Sequence, residues 1–171
     1  MPTRPVSTSR LLVRRARPID AAPMAELVST ATRGRLLATE DEALDRLGAR
    51  GFFVVHRDGS LVGLAGWTAE NLVARVEDFM VYPVDARPTA GRELLNAVED
   101  AARELQCEAM LLLVARGAST GAVTFFESCG YAYKELAEMP EAWRESANEV
   151  LSDDRFVLVK QLRADLVRQP I

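Results

Sequence analysis

Short apolar runs of strand length alternate along this chain with longer stretches in which apolar residues return every third or fourth position. The first pattern predicts strands and the second amphipathic helices. Residues 11–16 read as an opening strand, and Asp20 stands where it can cap a helix running through Met24, Leu27 and Val28. Thr39 followed three residues later by Glu42 is a capping-box pattern that opens a second helix, with Ala43, Leu44 and Leu47 on its apolar face. "GFFVVHRDGSLVGLAGW" predicts a hairpin turning at Asp58-Gly59. "LVARVEDFMVYP" predicts a longer strand closed by Pro83.

From Gly91 onward, Leu94, Leu95, Val98, Ala102 and Leu105 recur at helical spacing. "AMLLLVA" is apolar throughout and predicts a central strand buried on both faces. A helix over Ser119 to Ser128, capped by Ser119, should stop at Gly130. "YAYKELAEM" then predicts a strand, "PEAWRESANEVL" a short surface helix and "RFVLVKQL" a final strand. The order β-α-α-β-β-β-α-β-α-β-(α)-β predicts an α/β (α+β) protein, a mixed central sheet of about seven strands flanked by helices.

No repeat or linker interrupts residues 1–171, which predicts one domain with a flexible lead over 1–9 and a tail over 163–171. Nearly half of the residues are apolar and 27% charged, ordinary for a globular protein. The formal charge of −4 gives no basis for nucleic-acid binding. Cys107 and Cys129 have neither metal spacing nor a CxxC pattern and read as reduced thiols of a cytoplasmic protein; no metal is expected. No apolar run approaches the roughly 20 residues that span a bilayer, so no membrane partner is expected. The acid-free, Arg-rich first 19 residues faintly resemble a transit peptide, but they fit better as a first strand entering a first helix.

At the middle of the chain, "VYPVDARPTAGRELL" follows a strand and opens a helix. Val81, Pro83, Gly91, Leu94 and Leu95 fall in register with the signature V-x-P-x-x-R-G-x-G-x-G-x-x-L-L. Ala122, Phe125, Gly130 and Tyr131 follow a second signature, N-x-x-A-x-x-F-Y-x-x-x-G-F. In both motifs the chain resembles the GCN5-related N-acetyltransferase (GNAT) family, from about Leu11 to Leu162. The resemblance implies acetyl-CoA as cosubstrate, with its pyrophosphate on the amides of a helix N-terminus. It also implies a splayed strand edge over Phe79, Met80 and Val81 that pairs with the pantetheine arm. The chain departs from the family where Ala86, Arg87 and Thr89 replace an Arg or Gln and two glycines, and Pro88 removes a donor. Arg87 and Arg92 are then candidates to supply charge to phosphate, beside Thr89, Ala90 and Gly91 of the loop. Two exposed arginines on a solvated loop fit the same sequence.

Acetyl transfer to an amine needs a proton acceptor, a polarised carbonyl and a proton for the thiolate. By resemblance the acceptor is a carboxylate of "RVEDFMVYP". Glu77 and Asp78 are the candidates, Glu77 favoured, and strand alternation is expected to send them to opposite faces. A main-chain N–H near Met80 or Val81 would polarise the carbonyl. Phe126 occupies the place of the usual tyrosine donor on the cofactor wall, and a phenyl ring cannot donate. Tyr82, Tyr131 and Cys129 are alternatives nearby, each also explained by packing or exposure. The sole histidine, His56, beside the hairpin turn, reads as a hairpin residue rather than a base. Arg33 and Arg35 are candidates for an acceptor carboxylate, and Trp67 and Trp143 for an acceptor pocket, although solvated charge and core packing explain them too.

"RGRLLATEDEALDRLGARGFFVV" with "MPEAWRES" faintly resembles the amino-acid N-acetyltransferases of the N-acetylglutamate-synthase type. Two functions follow: an acetyl-CoA-dependent N-acetyltransferase acting on the primary amine of a small molecule or amino acid, or a non-catalytic partner protein of the same fold with an impaired coenzyme site. Homodimerisation through "FVLVKQL" is expected from analogy with the fold.

Overall fold

The computed structural model describes residues 8–165. The expected lead and tail lie largely outside these residues. Seven strands form one sheet in the order β1-β2-β3-β4-β5-β7-β6, with β1 Leu11–Arg15, β2 Gly51–Arg57, β3 Ser60–Glu70, β4 Val73–Val81, β5 Ala109–Ala115, β6 Ala132–Tyr133 and β7 Arg155–Gln161. Neighbours are antiparallel except β4 and β5, which run parallel. Helices α3 (Arg92–Glu104) and α4 (Thr120–Ser128) pack on one face, where Leu94, Leu95, Val98, Phe125 and Phe126 meet Val76, Met110 and Leu112. On the other face, α1 (Ala21–Ala31) sets Met24 and Leu27 on Phe52, Val54 and Leu64, and α2 (Glu40–Ala49) packs beside it. There too α5 (Glu141–Val150) buries Trp143 and Ala147 against Val73, Leu111 and Val157.

Local chemistry explains most element ends. The capping box forms, with Glu42 N–H donating to Thr39 Oγ1 at 3.2 Å and Thr39 N–H to Glu42 Oε2 at 2.8 Å. Ser119 Oγ accepts from Ala122 N–H at 3.2 Å. The hairpin turns with Asp58 and Gly59 both at positive φ, as a tight primed turn requires. β5 is buried from Ala109 through Leu112, as its unbroken apolar run implied.

Four expectations are corrected. Asp20 does not cap α1; its carboxylate accepts from Arg14 at 2.7 and 2.8 Å and from Arg17 N–H at 2.7 Å, because a two-pronged guanidinium contact outcompetes a neutral helix amide. "YAYKELAEM" is strand only at Ala132–Tyr133 and then winds into a 3₁₀ turn that delivers Met139 to the core. The "PEAWRESANEVL" helix is half-buried rather than superficial, with Trp143 2% exposed. β7 is not an edge, since it lies between β5 and β6.

Candidate active site

The site begins with two irregularities in β4. Its ladder with β3 shifts between Gly66↔Asp78 and Trp67↔Val76, leaving Glu77 as the extra residue of a β-bulge. Its pairing with β5 covers only Val73–Val76 against Ala109–Leu112. Beyond Val76 the two strands part, so the β5-facing edge of β4 from Glu77 to Val81 carries main-chain groups outside that ladder.

The parted strands open into a cleft of about 900 Å³. Phe79, Met80, Val81 and Phe126 line it, with Leu113, Val114 and Ala115 of β5 opposite. Phe79, Phe125 and Phe126 form one aromatic cluster behind, with centroids 5.2 to 6.2 Å apart. The far half of the cleft is apolar, built from Met24, Val28, Phe52 and Leu64. Leu36 and Leu37, 60% and 80% exposed, stand at its rim in the α1–α2 loop.

Glu77 and Asp78 both line the cleft. Strand alternation predicted opposite faces, and the bulge overturns it: one guanidinium, Arg50 Nη1, lies 3.1 Å from Glu77 Oε2 and 3.0 Å from Asp78 Oδ2. Arg46 Nη1 holds Asp78 Oδ1 at 2.9 Å, and Arg75 Nε stands 3.7 Å from Glu77 Oε1. Neither Arg46 nor Arg50, the first in α2 and the second just past its end, drew notice in the sequence. Arg155, at the start of β7, also lines the cleft and was missed.

The loop after β4 differs from its expected form. Residues Val84–Ala86 make a 3₁₀ turn and Arg87–Gly91 a π-helical turn that runs directly into α3. Gly91 therefore does not open the helix; it lies inside a continuous winding, buried, at φ −65°. Its lack of a side chain serves packing, since a Cβ there would meet Phe125 Cζ at 3.0 Å and Arg87 Cγ at 3.3 Å. Ala90 is buried and Thr89 is exposed, its hydroxyl donating to Ala86 O at 3.3 Å; neither lines the cleft. Of the two loop arginines only Arg87 faces the cleft. Arg92 reaches sideways to Ser128 Oγ at 3.2 Å.

Tyr82 lines the cleft and is 40% exposed, but the strand carries it about 13 Å from Asp78, at the Arg87 end. Tyr131 is buried and does not line the cleft; its hydroxyl donates to Glu99 Oε1 at 2.9 Å, and burial with that carboxylate raises its pKa above the ordinary phenol value. The acceptor candidates are also displaced. Arg33 is exposed outside the cleft at φ 52°, and Arg35 Nε donates to Thr32 O at 3.2 Å. Trp67 is 6% exposed and packs on Phe53 in the core on the α3 face, because the strand directs its indole away from the cleft.

A family model described as acetyltransferase (GNAT) family matches residues 21–131. Solved structures share the fold. The yncA protein of Salmonella typhimurium, solved with its cofactor acetyl-CoA, aligns at a TM-score of 0.67 and 17% identity over 94% of this chain and 99% of that one. The ribosomal-protein-S18-alanine N-acetyltransferase of Escherichia coli gives 0.67 and 15% over 95% and 100%. N-acetylglutamate synthase of Neisseria gonorrhoeae, complexed with coenzyme A and N-acetyl-glutamate, gives 0.64 and 21% over 92% of this chain but 36% of that chain. No curated protein matches the sequence.

Proposed function

This chain belongs to the acetyltransferase (GNAT) family, and on that premise we propose that it transfers an acetyl group from acetyl-CoA to the primary amine of a small molecule or amino acid. The observation that carries this reading is the parting of β4 from β5 next to a bulge that presents two carboxylates. The cleft fits the coenzyme's arm: a strand edge with unpaired main-chain groups faces an apolar wall of Leu113, Val114 and Ala115. When bound, acetyl-CoA supplies the acyl group as a thioester. Arg87 is the side chain placed to meet its phosphates, in place of a glycine-rich cradle.

The chain's own residues then divide the work. Glu77 takes the ammonium proton, with Asp78 sharing the charge of Arg50 beside it. Main-chain N–H groups near Met80 and Val81 lie on the open edge, where fixed dipoles stabilise developing charge. Phe126 closes the aromatic wall and excludes water but has no proton to give, so the thiolate leaves to solvent. A thiol, with a pKa of about 8.5 for cysteine, is a fair leaving group.

A second reading, a partner protein that no longer turns over coenzyme, is favoured by the helical winding through Arg87–Gly91, which takes the Gly91 amide out of the helix opening. Titration with acetyl-CoA separates the two. A micromolar site at millimolar ligand stabilises the fold by about 4 kcal/mol. No shift in melting temperature at that concentration would sink the enzyme reading. Given binding, free-thiol release with a panel of amines identifies the acceptor, and Glu77→Gln should slow turnover while coenzyme affinity holds.

A further inference from the structure

A second cavity, of about 480 Å³, opens at the hairpin end of the sheet and takes no part in the chemistry above. Its lining is Arg10, Leu12, Arg14, Arg17, His56 and Gly59. The local fold explains the grouping. Alternation along β1 puts Arg10, Leu12 and Arg14 on one side, and the ladder sets His56 directly opposite Leu12. The turn after β1 then brings Arg17 to the same place. Three guanidiniums converge in a chain whose formal charge is −4.

Their partners are unequal. Arg14 is fully engaged, with Nη1 and Nη2 on the Asp20 carboxylate at 2.7 and 2.8 Å. Asp58, beside the cavity, accepts only from the Arg10 main chain, at 2.9 Å. Among the described residues the guanidiniums of Arg10 and Arg17 make no hydrogen bond or ion pair. His56 Nδ1 is buried and likewise has no partner, so packing alone holds the imidazole. A polar atom in that state gains from any acceptor that a small turn of the ring brings within reach. Burial and Arg14 also lower the His56 pKa, which keeps the ring neutral and leaves one N–H to donate.

We propose that this cavity is a binding site for a phosphorylated small molecule, with Arg10 and Arg17 as the paired guanidinium contacts and His56 as a further donor. Two guanidiniums without a hydrogen-bonded partner offer the forked donors that suit phosphate oxygens. The volume exceeds what a lone phosphate fills, which leaves room for the group that carries it. The site is independent of acyl transfer.

His56 is the only histidine, so its imidazole signals report the site without ambiguity in untagged protein. Inorganic pyrophosphate is titrated at constant ionic strength, with saturating coenzyme A present to occupy the cleft. The expected result is a saturable shift of the His56 signals with half-saturation below about 1 mM. Arg17→Ala or Arg10→Ala should weaken it about tenfold, as expected for loss of one charge-assisted contact. Arg87→Ala should leave it unchanged. A shift that sodium chloride reproduces, the absence of a saturable shift, or one indifferent to both arginines would overturn the proposal. If an alanine variant melts early, Arg17→Gln, which keeps the stem, repeats the comparison.

Discussion

Removing Arg50 perturbs the site where the structure concentrates most charge. Its Nη1 lies 3.1 Å from Glu77 and 3.0 Å from Asp78, and the three side chains are 26%, 15% and 21% exposed. An exposed ion pair contributes about 0.2 to 1 kcal/mol, and stranding a fully buried charge costs about 3 to 5. This cluster lies between those limits, and Arg46 at 2.9 Å still holds Asp78 after the change. Arg50→Met should therefore cost about 1 to 2 kcal/mol, read by urea denaturation as a fall in midpoint at constant slope. For a domain of this size each kcal/mol also lowers the melting temperature by about 2 to 4 °C. Glu77→Gln on the Arg50→Met background should recover part of the loss, because it removes one of two like charges that then face each other. The cycle of four proteins should give a coupling of about 1 kcal/mol. Additivity within about 0.3 kcal/mol would refute the shared-guanidinium arrangement. Acetyl-CoA affinity should stay within about twofold, since Arg87 stands at the other end of the cleft.

Other positions test other parts of the structure. Gly91→Ala adds a methyl 3.0 Å from Phe125 Cζ and should destabilise by about 1 to 3 kcal/mol by overpacking, measured by thermal melting; a phosphate-cradle role would instead lower coenzyme affinity with little change in stability. Arg87→Ala should weaken acetyl-CoA binding about tenfold by calorimetry, whereas Arg92→Ala, tied to Ser128, should leave it nearly intact. The Arg14 hydrogen bonds hold the Asp20 carboxyl at a pKa of about 2. A depressed carboxylate pKa stabilises the fold above the unfolded value and loses that contribution as pH falls. Asp20→Asn should thus cost about 2 kcal/mol at neutral pH, a deficit that shrinks between about pH 4 and pH 2. A deficit that is flat across that window would contradict the pairing.

Local physics made much of this protein legible before any tertiary contact was known. Periodicity placed α1, α2 and α3, the capping residues Thr39/Glu42 and Ser119 fixed the starts of α2 and α4, and Asp58-Gly59 fixed the hairpin. All of these act within a few residues, so the sequence carries them whole. The acceptor side and the phosphate loop were not legible in the same way. Whether Glu77 and Asp78 face together depends on a one-residue slip against β3, and such a slip has no marker in β4 itself. Arg46 of α2 and Arg50, just past its end, reach them only because helix and sheet pack together. Gly91 looked like a phosphate glycine until Phe125, from a helix distant in the chain, claimed the space beside it. The chain alone decided most of the helices and strands, with "YAYKELAEM" and the Arg87–Gly91 winding as exceptions; the packing of distant segments decided which side chains share a cleft, because register and close approach are set by the partner as much as by the residue.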